Sequence, residues 1–293
     1  KWVGIVVGGL IALIVVALLV LILLGSRKIN KDYDVQVASI TIPTGPAAVE
    51  RGRHYIETIG LCSECHGDRL QGDILSEDPV FGTLAAPNLT SGVGGIGSVL
   101  TDTDYVRAIR HGIGRDGESL IIMPSNYFNK ISDDDLGAII AFLRTLPPVT
   151  NSLPESGLGP LGKVIALLDS GILPASEIDH PASRPPDTMP GVTAEYGAYL
   201  ATICSVCHGE NLSGGSVPGE QDAPLARNLT PKGVLVSWSE SDFVNTMRTG
   251  NTPGGGKLDG EFMPWEHFAK FTDDELKALW LHLESLPPKD FGE

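Results

Sequence analysis

Two pentapeptides carry the chemistry of this chain. Cys62-Ser63-Glu64-Cys65-His66 recurs as Cys204-Ser205-Val206-Cys207-His208, and together they use all four cysteines. Two thiols and an imidazole in this order suit covalent attachment of a c-type haem, the thiols as thioethers to the porphyrin and the histidine on its iron. One such pentapeptide can arise by chance, whereas a pair accounting for every cysteine is a strong signal. The competing chemistries are a disulfide and a structural zinc. Zinc asks for four Cys or His ligands in one closed site, and each motif offers three with no second cluster close behind it. The expectation is two haems c, held by Cys62, Cys65, Cys204 and Cys207, with His66 and His208 as axial ligands.

A repeat selects the opposite ligands. The offset between matching landmarks is 142 at the haem motif, 140 at Asn88-Leu-Thr90 against Asn228-Leu-Thr230, and 138 at Arg110-x-Gly against Arg248-x-Gly. It is 140 again at Met123-Pro124 against Met263-Pro264 and at Leu146-Pro147-Pro148 against Leu286-Pro287-Pro288. Small drifts of this kind are loop insertions within a duplicated domain. Of the four methionines only Met123 and Met263 recur, 57 and 55 residues after their histidines and each followed by proline. A thioether in that place fills the sixth iron site and raises the potential. Met247, on a helix face with Phe243, reads as core filler, and Met189 as an inert residue of the Pro-rich connector. His111 is the rival ligand, but its counterpart is Thr249, so a surface or haem-edge role suits it better. Arg110, Arg115 and Arg248 are candidates for haem propionates, since a guanidinium fork matches a carboxylate; surface arginines are the alternative. Asn88 and Asn228 fit a glycosylation pattern, yet their recurrence at matched points favours a haem-pocket loop.

The elements that must position these residues follow from patterning. Val3 to Leu24 is an uncharged run of 22 residues, about 33 Å as a helix and long enough for a hydrocarbon core of about 30 Å. It reads as a transmembrane anchor in the lipid bilayer rather than a cleaved signal, whose apolar region is shorter. Trp2 suits an interfacial position, and Gly4-x-x-x-Gly8 lends slight weight to a close helix neighbour. The chain opens on Lys rather than Met, which leaves room for a preceding segment. Arg27, Lys28 and Lys31 follow the run and only Lys1 precedes it, so charge counting alone puts the large domain inside. Beyond residue 31 the chain keeps 17 of its 21 Lys and Arg against all 36 Asp and Glu. So acidic a body argues against nucleic-acid binding and suits solubility or a basic docking partner.

The domain plan has an anchor and basic flank over 1–31, an extended tether over 32–48, a first domain over 49–148, a connector over 149–191 and a second domain over 192–293. Glu50 to Ile59 reads as a short helix delivering the chain to Cys62. The Gly- and Pro-rich stretch after His66 reads as loop. Thr101-Asp-Thr-Asp104, Ser132-Asp-Asp-Asp135, Ser239-Glu-Ser-Asp242 and Thr272-Asp-Asp-Glu275 read as helix caps. Leu136, Ile139, Ile140 and Leu143 fall at i, i+3, i+4 and i+7, one buried stripe, and Leu276, Leu279, Trp280 and Leu283 copy it. In the connector, Leu161 to Leu168 reads as a short helix across the domain junction. A patch touching membrane or a partner is the alternative.

Both halves resemble class I cytochrome c domains, over residues 49–148 and 192–288: a helix, Cys-x-x-Cys-His, a Pro-containing loop, a helix, the Met ligand and a closing helix. The resemblance implies an all-α chain, one transmembrane helix plus two tandem class I domains. It also implies that the Pro87 carbonyl accepts the ring N–H of His66, the bond that orients such a ligand. Arg227 stands at the matching place in the second half, with Pro224 as a substitute. The Asn-Leu-Thr and Arg110-His-Gly-Ile-Gly-Arg115 stretches are similar to cytochrome subunits of membrane-bound alcohol and sugar dehydrogenases, and the layout also resembles di-haem subunits of oxidases and quinol-oxidising complexes. The implied function is electron transfer rather than enzymatic catalysis, between a membrane redox complex and another cytochrome or oxidase. The implied location is the bacterial cytoplasmic membrane, haem domains on the periplasmic or extracellular face. That side opposes the charge count, and the haem motifs carry more weight than three charges. A di-haem peroxidase, with one iron left open, is the alternative from a different class.

Overall fold

The computed structural model describes residues 2–182, 188–217 and 223–293. Lys1, residues 183–187 of the connector and residues 218–222 of the second half lie outside the described residues. The chain is mostly helical, 45% helix and 7% strand. The first half holds α1 (Trp2–Ile29), α2 (Pro46–Glu57), α3 (Cys62–His66), β1 (Asp73–Asp78), β2 (Gly82–Ala86), α4 (Asp102–His111), α5 (Ser125–Phe128) and α6 (Asp133–Leu143). After β3 (Gly157–Leu158) and α7 (Pro160–Leu168) come α8 (Ala194–Leu200), α9 (Ser205–His208), α10 (Glu240–Thr249), α11 (Trp265–Phe268) and α12 (Asp273–Ser285).

Two compact units result. One comprises Lys1–Ile42, Cys62–Ile131 and Ile140–Ser183; the other comprises Pro43–Leu61, Ser132–Ile139 and Arg184–Glu293. Within the first, α1 is long and apolar enough to cross a membrane. The tether is not wholly loose: the Tyr33 amide donates to the Gly117 carbonyl at 2.9 Å, and its ring stands edge-on to His180 at 5.9 Å.

The all-α expectation needs one correction. Residues 73–86, read above as loop, form an antiparallel hairpin, and β3 adds a third strand on the β2 side. Local chemistry explains the turn. Asp78 Oδ1 accepts the amides of Val80 and Phe81, both at 2.7 Å, and Gly82 takes φ 113°, which suits a residue without Cβ.

The expected caps form where placed. Thr101, Ser239 and Thr272 each complete a reciprocal box with the acid three residues on, satisfying amides that a helix start leaves unpaired. The Ser132 hydroxyl accepts the Asp135 amide at 3.2 Å. The closing stripes are buried: Leu136, Ile140 and Leu276 are 0% exposed. α2 starts at Pro46, four residues earlier than expected, with proline in the first turn, where its missing N–H costs nothing.

In the second unit two helix crossings share one design. Gly52 of α2 lies so close to α6 that a methyl there would stand 1.9 Å from the Ala138 carbonyl oxygen, and Gly197 of α8 has the same relation to Ala278 of α12. Two carboxylates sit beside these crossings. Asp135 takes the Tyr199 hydroxyl at 2.6 Å and the Arg51 guanidinium at 2.5 Å. Glu275 takes the Tyr196 hydroxyl at 3.3 Å and lies 2.9 Å from His54 Nε2.

Candidate functional site

Each Cys-x-x-Cys-His motif is wound into a short helix, α3 or α9, and the chain beyond it turns back in the same way in both halves. The Gly72 amide reaches the His66 carbonyl at 2.7 Å, and the Gly214 amide reaches that of His208 at 2.8 Å. Leu70 and Leu212 both occupy the left-handed region, at φ 54° and 57°. The Leu89 and Leu229 amides then bond the carbonyls of those leucines, at 2.9 and 2.8 Å. A left-handed leucine is strained, and its recurrence marks a backbone constraint that sequence reasoning missed.

This turn brings a carbonyl to each imidazole. His66 Nδ1 lies 2.8 Å from the Pro87 carbonyl oxygen, and His208 Nδ1 lies 2.7 Å from that of Arg227. Pro224 is not needed as a substitute, because the acceptor is backbone and any residue type can supply it. The bond assigns the proton to Nδ1 and leaves the Nε2 lone pair for a metal. Burial lowers the pKa of both histidines, against a smaller opposing effect of the carbonyl, which favours the neutral ligand form.

All four thiols are free. Burial pushes Cys62 and Cys204 up to about 12 and raises Cys65 and Cys207 as well. Such thiols are poor nucleophiles in water. Among the described residues, no three His, Cys, Asp or Glu side chains gather as a metal site.

Met123 and Met263 are half-buried, and their surroundings match in detail. Each is followed by a proline that caps a short helix, Pro124 at φ −79°, ψ 49° and Pro264 at φ −73°, ψ 61°. The Ser125 and Trp265 amides return to the methionine carbonyls at 2.7 and 2.6 Å. Arg110, 2% exposed, donates to the Ile131 carbonyl at 2.8 Å. Arg248 donates to the equivalent Phe271 carbonyl at 2.5 Å, to the Ala269 carbonyl, and to Asp273 at 2.7 Å. These arginines tie the end of each methionine segment to α4 or α10. Met247 is buried and Met189 is 84% exposed. His111 is not on the surface: it is 2% exposed, with Nδ1 3.2 Å from His180 Nδ1.

The Asn-Leu-Thr loops have a mechanical role. Asn88 Nδ2 donates to the Val149 carbonyl and Asn228 Nδ2 to that of Lys289, both at 2.8 Å. The side-chain oxygens accept the amides of Thr90 and Thr230, at 2.9 and 2.8 Å. Each loop thereby grips the strand of chain leaving the closing helix. Asn88 is 1% exposed, too buried to receive a glycan.

The donor set fits haem c: two free thiols and one oriented neutral imidazole per half, with a soft thioether on a separate, pinned loop. In the first unit the Tyr105 hydroxyl is buried without a hydrogen-bond partner among the described residues, as a group facing a polar edge of a bound cofactor would be.

No family model matches the chain. The cytochrome c subunit of an alcohol dehydrogenase (quinone) from Gluconacetobacter polyoxogenes is 30% identical over 278 residues, covering 83% of this chain and 56% of that protein. The gluconate 2-dehydrogenase cytochrome c subunit of Pantoea cypripedii is 28% identical over 280 residues, 84% of this chain and 61% of its own length. A di-haem c-type cytochrome of Cereibacter sphaeroides is 24% identical over 267 residues, 78% and 82% of the two chains. The chain thus spans little more than half the length of the two dehydrogenase subunits. Its homologues are cytochrome c subunits of membrane-associated dehydrogenases and a di-haem cytochrome c, the resemblance that its paired Cys-x-x-Cys-His motifs already carried.

Proposed function

We propose that this chain is a membrane-tethered di-haem c-type cytochrome, a subunit that relays single electrons from a dehydrogenase-type partner to another carrier or oxidase. Its two class I domains would stand on the periplasmic face, with α1 as the anchor in the bilayer. The observation that carries the reading is the twofold recurrence of one frame: an imidazole oriented by a carbonyl, and a methionine held by a proline-capped helix and an arginine that is buried in the first half and half-buried in the second.

Haem c, when bound, supplies an iron that changes oxidation state without exchanging ligands. The residues of the chain keep that frame rigid. Cys62, Cys65, Cys204 and Cys207 would hold the porphyrin, and His66 and His208 would ligate iron through Nε2. Met123 and Met263 would each supply a thioether ligand, and such a ligand in both halves would disfavour the peroxidase alternative. Pro87 and Arg227 fix ring orientation, while Asn88, Asn228, Arg110 and Arg248 hold the loops. The names of the dehydrogenase relatives support a membrane redox complex as partner. The basic flank is partly accounted for within the chain: Lys28 bonds the Leu167 carbonyl and Lys31 lies 4.4 Å over the Tyr33 ring.

The test is a haem count with electron paramagnetic resonance and a redox titration on the purified full chain. Two low-spin centres per chain are expected. Met123→Ala and Met263→Ala should each turn one centre high-spin and lower its midpoint. Unchanged spectra and midpoints in both variants would overturn the assignment.

A further inference from the structure

Three apolar features of the first unit meet at the end of α1. The apolar run stops at Leu24, and Gly25 is buried, with Leu21, Ile22, Ser26, Lys28 and Ile29 half-buried around it while residues 2–20 are exposed. There α7 crosses: a methyl on Gly25 would stand 2.1 Å from the Lys163 carbonyl oxygen. One turn on, Lys28 Nζ reaches the Leu167 carbonyl at 3.4 Å and the Ser170 hydroxyl at 3.3 Å. At about 1.5 Å per residue, the crossing lies within a few ångströms of the end of the apolar run. In a bilayer matched to that run, α7 therefore sits where hydrocarbon gives way to headgroups.

The hairpin tip is stitched to the same helix. The Leu161 amide donates to the Val80 carbonyl at 3.0 Å, and the Gly159 amide to that of Phe81 at 2.7 Å. The side chains gathered here are apolar and uncovered: Val80 is 51% exposed, Phe81 48%, Leu161 39% and Leu168 78%. α7 carries a single charge, Lys163. Of the neighbouring acids, Asp78 caps the tip, Asp169 accepts the Gly171 amide at 2.9 Å, and Glu77 is exposed.

We propose that the Val80–Phe81 tip and α7 form a foot that lies in the headgroup region of the bilayer spanned by α1. Lipid is the occupant favoured by continuity, since the foot is joined to the anchor at the level where the apolar run ends. The hairpin is also the chain between His66 and Pro87, so the foot sets the height of the first motif above the membrane. The inference rests on the reading of α1 as a membrane span and is independent of haem ligation.

The test uses the full chain in phosphatidylcholine nanodiscs doped with a phospholipid bearing a diazirine near the acyl–headgroup boundary. Adducts are mapped by mass spectrometry. We expect labelling of the tip and of α7 in addition to α1. The double variant F81E/L168E should lose labelling at the tip and α7 while retaining it on α1, with haem content unchanged. Labelling confined to α1 in the unsubstituted protein would overturn the foot and leave the electron-transfer reading intact. Absence of label from α1 as well would overturn the anchor. If the same residues are instead shielded by a copurifying polypeptide, and become lipid-labelled only after its removal, the lipid assignment also fails.

Discussion

The bond from each motif histidine goes to a carbonyl whose owner is proline in one half and arginine in the other. The side chain at that position is therefore incidental to ligand orientation. Pro87→Ala should leave the midpoint of the first haem within a few tens of millivolts of its starting value, as read by redox titration. The asparagines are less replaceable. Asn88→Ala would strip the Thr90 amide and the Val149 carbonyl of their partners in a buried place. It should cost about 1–3 kcal/mol, measurable as a lowered unfolding midpoint, with Asn228→Ala doing the same in the other half. The motifs, the two recurring methionines and these asparagines were legible because the chain repeats itself. The task of the asparagines was not, since the partner carbonyls lie 61 residues downstream and belong to residues of any type.

At the level of helices, the two glycine crossings invite a test in which two effects oppose. Gly→Ala in a helix gains about 1 kcal/mol in propensity. Here the new methyl would meet a backbone oxygen at 1.9 Å, and overpacking of that kind costs about 1–3 kcal/mol or more. The clash should win, so Gly52→Ala and Gly197→Ala should each lower the thermal midpoint. Acid lability belongs at this scale too. Burial alone would raise the Glu275 carboxyl, but the bonds from His54 and from the Thr272 amide and hydroxyl hold it below the ordinary value. A carboxyl with a depressed folded pKa stabilises the fold above its unfolded pKa of about 4.3, and the contribution is lost as pH falls through the folded value. Glu275→Gln should therefore reduce stability at neutral pH and flatten its decline in acid, as followed by thermal melts between pH 3 and pH 7. Caps and buried stripes were readable because they are local and periodic. The hairpin was not: its third strand pairs Gly157 and Leu158 with residues more than seventy positions earlier, and its turn depends on one aspartate accepting two amides.

For the molecule as a whole, the recurring motifs and the long apolar N-terminal helix were evident from spacing and hydropathy, whereas the contact between that helix and α7 was not. Val149 and Lys289 lie just beyond each Leu-Pro-Pro stop, so the Asn-Leu-Thr latch of each half closes on the final segment of that half. An order of events is written into this arrangement. A chain emerging amino end first presents Cys62, Cys65 and His66 long before residue 149 exists to be gripped, so the latch of the first half can shut only after its motif has been exposed.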